Sequence, residues 1–562
     1  MKKNKIKRII LVLLCICLIS SLFTACSSKD KKIDFIYPFS ADIKSYDPQV
    51  ASTSDEFLII ENVFEGLVRV KDNGEIVSGV AKSWDISSDG LTYTFNLHKG
   101  IKWNIDTQPK SDGTRKEDKR LDYMGYDFYS DITADDFVFA LQRAAMPSTQ
   151  CPLFSTISCI KNAVAVNTGK ADVNKLGVKA IDDYTLQITL TAADKSFMNT
   201  LSTAVAMPCN RAFFNATKGR YGLSTEYTLF NGQFYLSQIL ETSYLLKNNK
   251  LYTGPSPAAA SELTLKINTD EKNSDVISKL ESGYYDAAFI TGRDSDSIKS
   301  SGIKYTPYNN TTWAFVFNTN NFIFQSETMR KAFCLGFTRL NDTGKEYMND
   351  AENLIPSACL LGANNAVDAI GKSVSKQDQQ KSIELWKKGL NIIADNDLSV
   401  TILVPEGMEA YVKKMIQGIQ SGIGTVTKDN SGAAIDFTLK IETVSEKDLN
   451  TAIAKKEYDI AFYPFKSNST SALTFLRSVS ESNLTGLDTK KIDKEITNAE
   501  KSKNLKDTAK HVKNAEQEIV GSYSIYPMLG ESNYYASAKG VENIQFHAGS
   551  GRVSFVNATR EE

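Results

Sequence analysis

The 562-residue chain contains three histidines, His98, His511 and His547, none in an H-E-x-x-H or similar metal-ligand spacing. That leaves no basis for a histidine-rich metal site. His98 falls on the polar face of a predicted hairpin and His511 in a charged helix, and solvation accounts for both. There is no G-x-S-x-G elbow, and residues 366–373, A-V-D-A-I-G-K-S, end like a phosphate-binding loop without its first glycine or a preceding strand, so chance explains them. Asp135-Asp136 are accounted for by a helix N-terminus. This inventory predicts no enzyme, no cofactor and no metal. A different feature stands out at residues 458–476, Y-D-I-A-F-Y-P-F-K-S-N-S-T-S-A-L-T-F-L. Tyr458, Ile460 and Phe462 alternate as in a half-buried strand. Pro464 cannot donate to a ladder, so pairing should stop there on one side. The stretch is a strand end or an edge kept open for something else.

A chain of this length exceeds the reach of one hydrophobic core, so two or three domains are expected. Its 42% apolar and 23% charged content is that of an ordinary globular protein. The net charge of −1 becomes about −6 once residues 1–25, with five cations (Lys2, Lys3, Lys5, Lys7, Arg8) and no acid, are set aside. Nothing in that balance suggests a nucleic-acid partner. Those residues read as a secretory signal: a basic start, then a 17-residue apolar run over residues 9–25, short for a membrane span. The run ends in L-F-T-A-C, which looks like a bacterial lipobox with Cys26 as the lipidated residue and 26–32 as tether; Phe23 departs from the pattern. Such an anchor holds a protein on a membrane without spanning it. Of eight cysteines, five remain beyond these (Cys151, Cys159, Cys209, Cys334, Cys359). A disulfide is permitted, Cys151 with Cys159 being nearest in sequence, and buried free thiols fit equally.

The elements of the chain follow from periodicity. Residues 84–103 predict a hairpin turning at Asp89-Gly90, with Leu91, Tyr93, Phe95 and Leu97 on one face. Thr133 caps a helix with Asp136 three residues on, and Phe137, Leu141 and Ala144 line its buried side. The polar stretch 105–131 between them reads as an exposed insertion. Residues 176–190 read as one strand with Tyr184, Leu186, Ile188 and Leu190 together. From about residue 270 strands alternate with helices: strands at 286–290, 313–318, 400–404 and 437–443, helices at 328–340, around Ile383, Trp386 and Leu390, at Tyr411 to Ile419, and through Leu449 and Ile453. This is an α/β pattern. Residues 491–520 are helical, and S-I-Y-P-M-L returns as a strand.

The blocks G-V-A-K-S-W-D-I-S-S-D-G-L-T-Y-T-F-N-L-H-K-G-I-K-W and T-A-D-D-F-V-F-A-L-Q-R resemble the signature of the extracellular solute-binding proteins of peptide and nickel ABC importers. Further blocks follow in the family's order across the mature chain: Y-D-P-Q through V-F-E-G-L, N-G-Q-F, L-E-S-G-Y-Y-D, F-N-T-N-N with M-R-K-A-F, and Y-D-I-A-F-Y-P-F. Residues 176–190 are similar to the oligopeptide-binding branch. The resemblance implies a two-lobed α/β periplasmic-binding-protein fold (type II, large cluster C form) with an extra subdomain in the first lobe. The implied division is signal 1–25, tether 26–32, lobe I at 33–64, 210–290 and 487–562, subdomain 65–209, and lobe II at 291–486. It implies a monomeric receptor, anchored outside the cytoplasm, that closes by hinge motion around a peptide and delivers it to an ABC permease.

The residues after Tyr463 resemble the family's ligand-edge motif, W-x-x-D-Y-x-x-P-x-x-F-L. Anchored on Phe475-Leu476, it places Phe465 at the Trp and Asn468 at the Asp that pairs with a peptide's ammonium. A neutral acceptor forgoes a charge-assisted bond, so a ligand with a blocked or absent ammonium is expected, one met as an anion by Lys466. Otherwise Asp459 or another acid serves. Ser52, Thr53 and Ser54 form the implied facing edge, Trp313 a wall of the pocket or part of the core, and Tyr463 a neighbour of the ligand. Thr311 and Lys466 stand where some relatives form a disulfide. Other readings are an oligosaccharide receptor, which needs aromatic platforms, a nickel-chelate receptor, a peptide-sensing signalling receptor, and a hydrolase, which needs a nucleophile and base converging in the cleft.

Overall fold

The computed structural model describes residues 33–71, 75–105, 118–124, 128–194, 197–268, 273–292, 298, 303–361, 364–391, 393, 397–467, 471–482, 484–502, 505–547 and 552–561. The signal, Cys26, the tether and Asn468 lie outside the described residues. Phe35, Tyr37 and Phe39 alternate inward along the strand Asp34–Phe39. This strand runs parallel to Glu262–Ile267, and Ser243–Asn248 and Phe234–Leu240 complete a four-stranded first-lobe sheet. Against the same core the helix Ser54–Val63 buries Leu58, Ile59, Ile60 and Val63.

A second four-stranded sheet, all antiparallel, is built in the order Ala81–Ile86, Thr92–Leu97, Thr185–Thr189, Val178–Asp182. The hairpin turns at Asp89-Gly90 as expected: Gly90 has φ +72°, and Asp89 Oδ1 accepts from Leu91 N–H at 3.0 Å. The helix Ala134–Ala145 carries the capping box of Thr133 and Asp136, with Phe137, Leu141 and Ala144 fully buried. Two expectations fail here. Residues 176–190 are two strands, because Asp182 Oδ1 accepts from Tyr184 N–H at 2.8 Å and turns the chain. The described parts of the stretch after Trp103 are not simply exposed: Ile105, Leu121 and Ser130 are buried, and Tyr123 meets Tyr227 at 5.6 Å.

The largest sheet is mixed, in the order Ala287–Ile290, Ile525–Ser537, Lys304–Phe317, Ile460–Lys466, Asp397–Pro405, Asp436–Val444. One face is covered by Glu327–Gly336, Gln379–Leu390 and Glu409–Met415, through Phe333, Trp386 and Met415. The other is covered by Ala472–Glu481, Thr489–Lys501 and Leu505–Val520, through Leu476, Ile496 and Val512. Each fully buried side chain of this kind contributes about 1.5–3 kcal/mol. The helices Thr489–Lys501 and Leu505–Val520 therefore pack with the second lobe, not, as expected, with the first. Their apolar stripes match a sheet face that Ala472–Glu481 alone leaves uncovered. The chain leaves the first-lobe sheet after Ile267 and returns after Ser537. Asp286 ties the crossings together: its N–H and Oδ2 bond Ile36 at 2.9 and 2.7 Å, its carbonyl accepts from Ala538 N–H at 2.8 Å, and Oδ1 meets Arg560.

Candidate functional site: the cleft between the lobes

The strand Ile460–Lys466 does not end at Pro464. On one side it stays paired with Lys304–Phe317 as far as Thr311↔Lys466, including Trp313↔Pro464. On the other side its parallel pairing with Asp397–Pro405 covers only Ile460 and Ala461. Ser467 N–H donates to Asn310 O at 2.8 Å, so odd-numbered main-chain groups face the paired side and those of 462, 464 and 466 face the other. The donor that Pro464 lacks falls on the side that pairs with no strand among the described residues. The edge stays open.

Lys466, at the end of that edge, lines a cleft of about 960 Å³. The first lobe contributes Tyr37, Phe39, Ser54, Asp55 and Leu58 to its lining; the second contributes Phe289, Tyr308, Thr311, Trp313, Glu406, Glu446, Lys466, Glu531 and Tyr535. At its floor Tyr37 Oη and Tyr535 Oη are 3.1 Å apart, and burial pushes both phenols well above their ordinary value. Trp313 stacks on Phe462 at 5.5 Å and donates from Nε1 to Glu531 Oε2 at 2.7 Å, so it belongs to both core and wall.

Of the residues expected at the site, Ser54, Trp313 and Lys466 line the cleft. Ser52 and Thr53 do not form a facing strand edge. Their N–H groups bond Glu56 Oε2 at 2.6 and 3.0 Å, and Thr53 caps the helix Ser54–Val63. Glu56 Oε1 also accepts from Lys44 and Ser45 N–H at 2.8 and 3.0 Å. Burial would raise this carboxyl, but the four N–H donors outweigh it and hold the group below its usual range. Glu56 thereby fixes the turn that presents Ser54 and Asp55. Tyr463 and Phe465 pack on the sheet face opposite Phe462, and are not among the lining residues. Thr311 and Lys466 are direct cross-strand partners.

Lys466 does not wait for an anion. Its Nζ lies 2.9 Å from Glu446 Oε1, and the described lining carries Asp55, Glu406, Glu446 and Glu531 against that single ammonium. The partner of Lys466 in the structure is thus Glu446. Asp459 is not among the lining residues, and its oxygens accept from Asn321 Nδ2 and Thr401 N–H at 2.7 and 2.9 Å. Sequence reasoning missed the acidic lining, which comes from four separate elements with no shared motif. None of the three histidines lines the cleft: Ser78 meets His98, Glu495 meets His511 and Glu61 meets His547. All five described cysteines are buried free thiols, and burial pushes that of Cys359 up to about 12.

The chain matches the model of the bacterial extracellular solute-binding proteins, family 5, over residues 75–485, and it belongs to that family, whose members are binding proteins and not enzymes. It is 24% identical to a dipeptide-binding protein of Lactococcus lactis over 408 residues, 68% of each chain. It is 29% identical to the oligopeptide-binding protein AmiA of Streptococcus pneumoniae over 250 residues, 43% of this chain and 35% of the relative. Its fold matches the substrate-binding domain of an oligopeptide ABC transporter of Bacillus anthracis with a TM-score of 0.70 and 23% identity, covering 95% of this chain and all of that one.

Proposed function

We propose that the protein is an extracytoplasmic receptor, held on the bacterial membrane through lipid on Cys26, that captures peptides or peptide-like solutes as a monomer and delivers them to an ABC permease. The observation that carries this reading is the open edge at 462–466 beside a 960 Å³ cleft. A peptide can extend a sheet there through its main chain, which every sequence shares, so affinity need not depend on side chains. The two crossings beside Asp286 give the lobes a place to hinge around the guest. The names of the relatives point to the same ligand class. An oligosaccharide would want broad aromatic platforms, but Tyr308 and Tyr535 are 6% and 8% exposed and pack against each other, which leaves Phe289, at 39%, the most open ring.

Mass spectrometry of what leaves the purified mature protein on denaturation tests the ligand class. Peptides are expected; saccharides or a metal chelate in their place would overturn the assignment. Metabolic labelling with an alkyne fatty acid tests the anchor. The native chain should take label and a Cys26→Ala variant should not; an unlabelled native chain removes the lipid from the proposal.

A further inference from the structure

Resting on the peptide reading, we propose that the cleft selects its ligands by positive charge, favouring peptides that carry Lys or Arg side chains over neutral and acidic ones. The site is the interlobe cleft, and its selectivity follows from how its charges are held. Four carboxylates and one ammonium line it among the described residues, and the ammonium of Lys466 is already matched by Glu446.

The four acids play different parts. Asp55 accepts from Ser40 Oγ and Asp42 N–H at 2.5 and 3.0 Å and stays committed to the fold. Glu531 gives Oε2 to the indole N–H of Trp313, which fixes the carboxylate on the cleft wall. Glu406 is exposed just beyond the strand Asp397–Pro405, and Glu446 opens the helix Glu446–Lys455 with its side chain 61% exposed. Glu406, Glu446 and Lys466, at the end of the open edge, line one cleft, so a ligand paired to that edge brings its side chains near both. An acidic side chain there meets net repulsion and strips water from carboxylates without replacing it. A cationic one gains charge-assisted bonds. Closure of the lobes excludes water and strengthens the discrimination.

The test is calorimetric titration of the mature protein with Ala-Lys-Ala, Ala-Ala-Ala and Ala-Glu-Ala, all with free termini, and with pentapeptide versions of each. The lysine peptide should bind roughly tenfold more tightly than the alanine one and the glutamate peptide more weakly than both. The gap should close in about 1 M salt, where the screening length is about 3 Å. A Glu406→Gln, Glu446→Gln double variant should bring the lysine-to-alanine ratio toward one; both side chains are exposed, so folding is not at risk. Equal affinities, or preference for the acidic peptide, would overturn charge selection and leave the peptide reading standing. No binding by any of the series would overturn both.

Discussion

Arg143 and Asp47 meet inside the first lobe with 4% of each side chain exposed, and Gln49 and Cys209 complete the contact from 2.8 and 3.4 Å. Lys466 and Glu446 meet on the cleft wall with 53% and 61% exposed. The chemistry is the same and the consequences are opposite. Where water is excluded, removing one partner leaves an uncompensated buried charge, and the pair becomes part of the fold. Where water remains, the pair gains little and opens at little cost, so either member can exchange its partner for a ligand. Between these extremes stands Arg477, 19% exposed beside Glu500 at 14%, which also reaches from the second lobe to Ser158 Oγ of the subdomain at 2.6 Å.

The comparison breaks first at its buried end. Asp47→Ala should cost about 3–5 kcal/mol, read as a fall in the denaturation midpoint of the mature chain. A loss under 1 kcal/mol would remove burial as the governing variable. Glu56→Gln comes next, at about 1.5–3 kcal/mol, because it weakens bonds from four N–H groups to a charged acceptor. The folded value of Glu56 lies below its ordinary 4.5. Its stabilisation is therefore complete above about 4.5 and is lost as pH falls through the lower folded value. Stability profiles should show the native chain losing more than the variant over that acid window, and parallel profiles would refute the assignment.

The contrast was only half visible in the sequence. Capping box, hairpin turn and alternating strands rest on local spacing, and Thr133 with Asp136, Asp89-Gly90 and Phe35-Tyr37-Phe39 all fold as local rules dictate. The cleft is assembled from distant segments, and Glu531 and Glu406 carry no local signal of their role. Side chains alternate along a strand, so Tyr463 and Phe465 lie on the face opposite Pro464 and Lys466, and the alternation that locates the strand already separates 463 and 465 from 466. Ser52 and Thr53 fold into a helix cap because Glu56, which converts a polar turn into a capping box, follows three positions after Thr53.

Arg477→Ala sharpens the middle of the scale. It should cost about 1–2 kcal/mol, and because Arg477 joins the second lobe to the subdomain, the free variant should also be more open than the native chain. X-ray scattering reads this as a larger radius of gyration; an unchanged radius would make Arg477–Glu500 a local pair with no bearing on closure.

Lys466→Ala should have the smallest effect on stability, under about 1 kcal/mol, since its pair is solvated on both sides. Its effect on binding should be of opposite sign to that expected of a ligand-holding cation. Removing the ammonium releases Glu446 and leaves the described lining with carboxylates alone, so affinity for a lysine-containing peptide should rise by a few-fold and more at low salt than at high. Titrations of Ala-Lys-Ala into both proteins decide the matter. Weaker binding by the variant would mean that Lys466 touches the ligand through an acceptor such as a carboxylate or carbonyl, and would place the working charge of the cleft on the cation instead of on the acids around it.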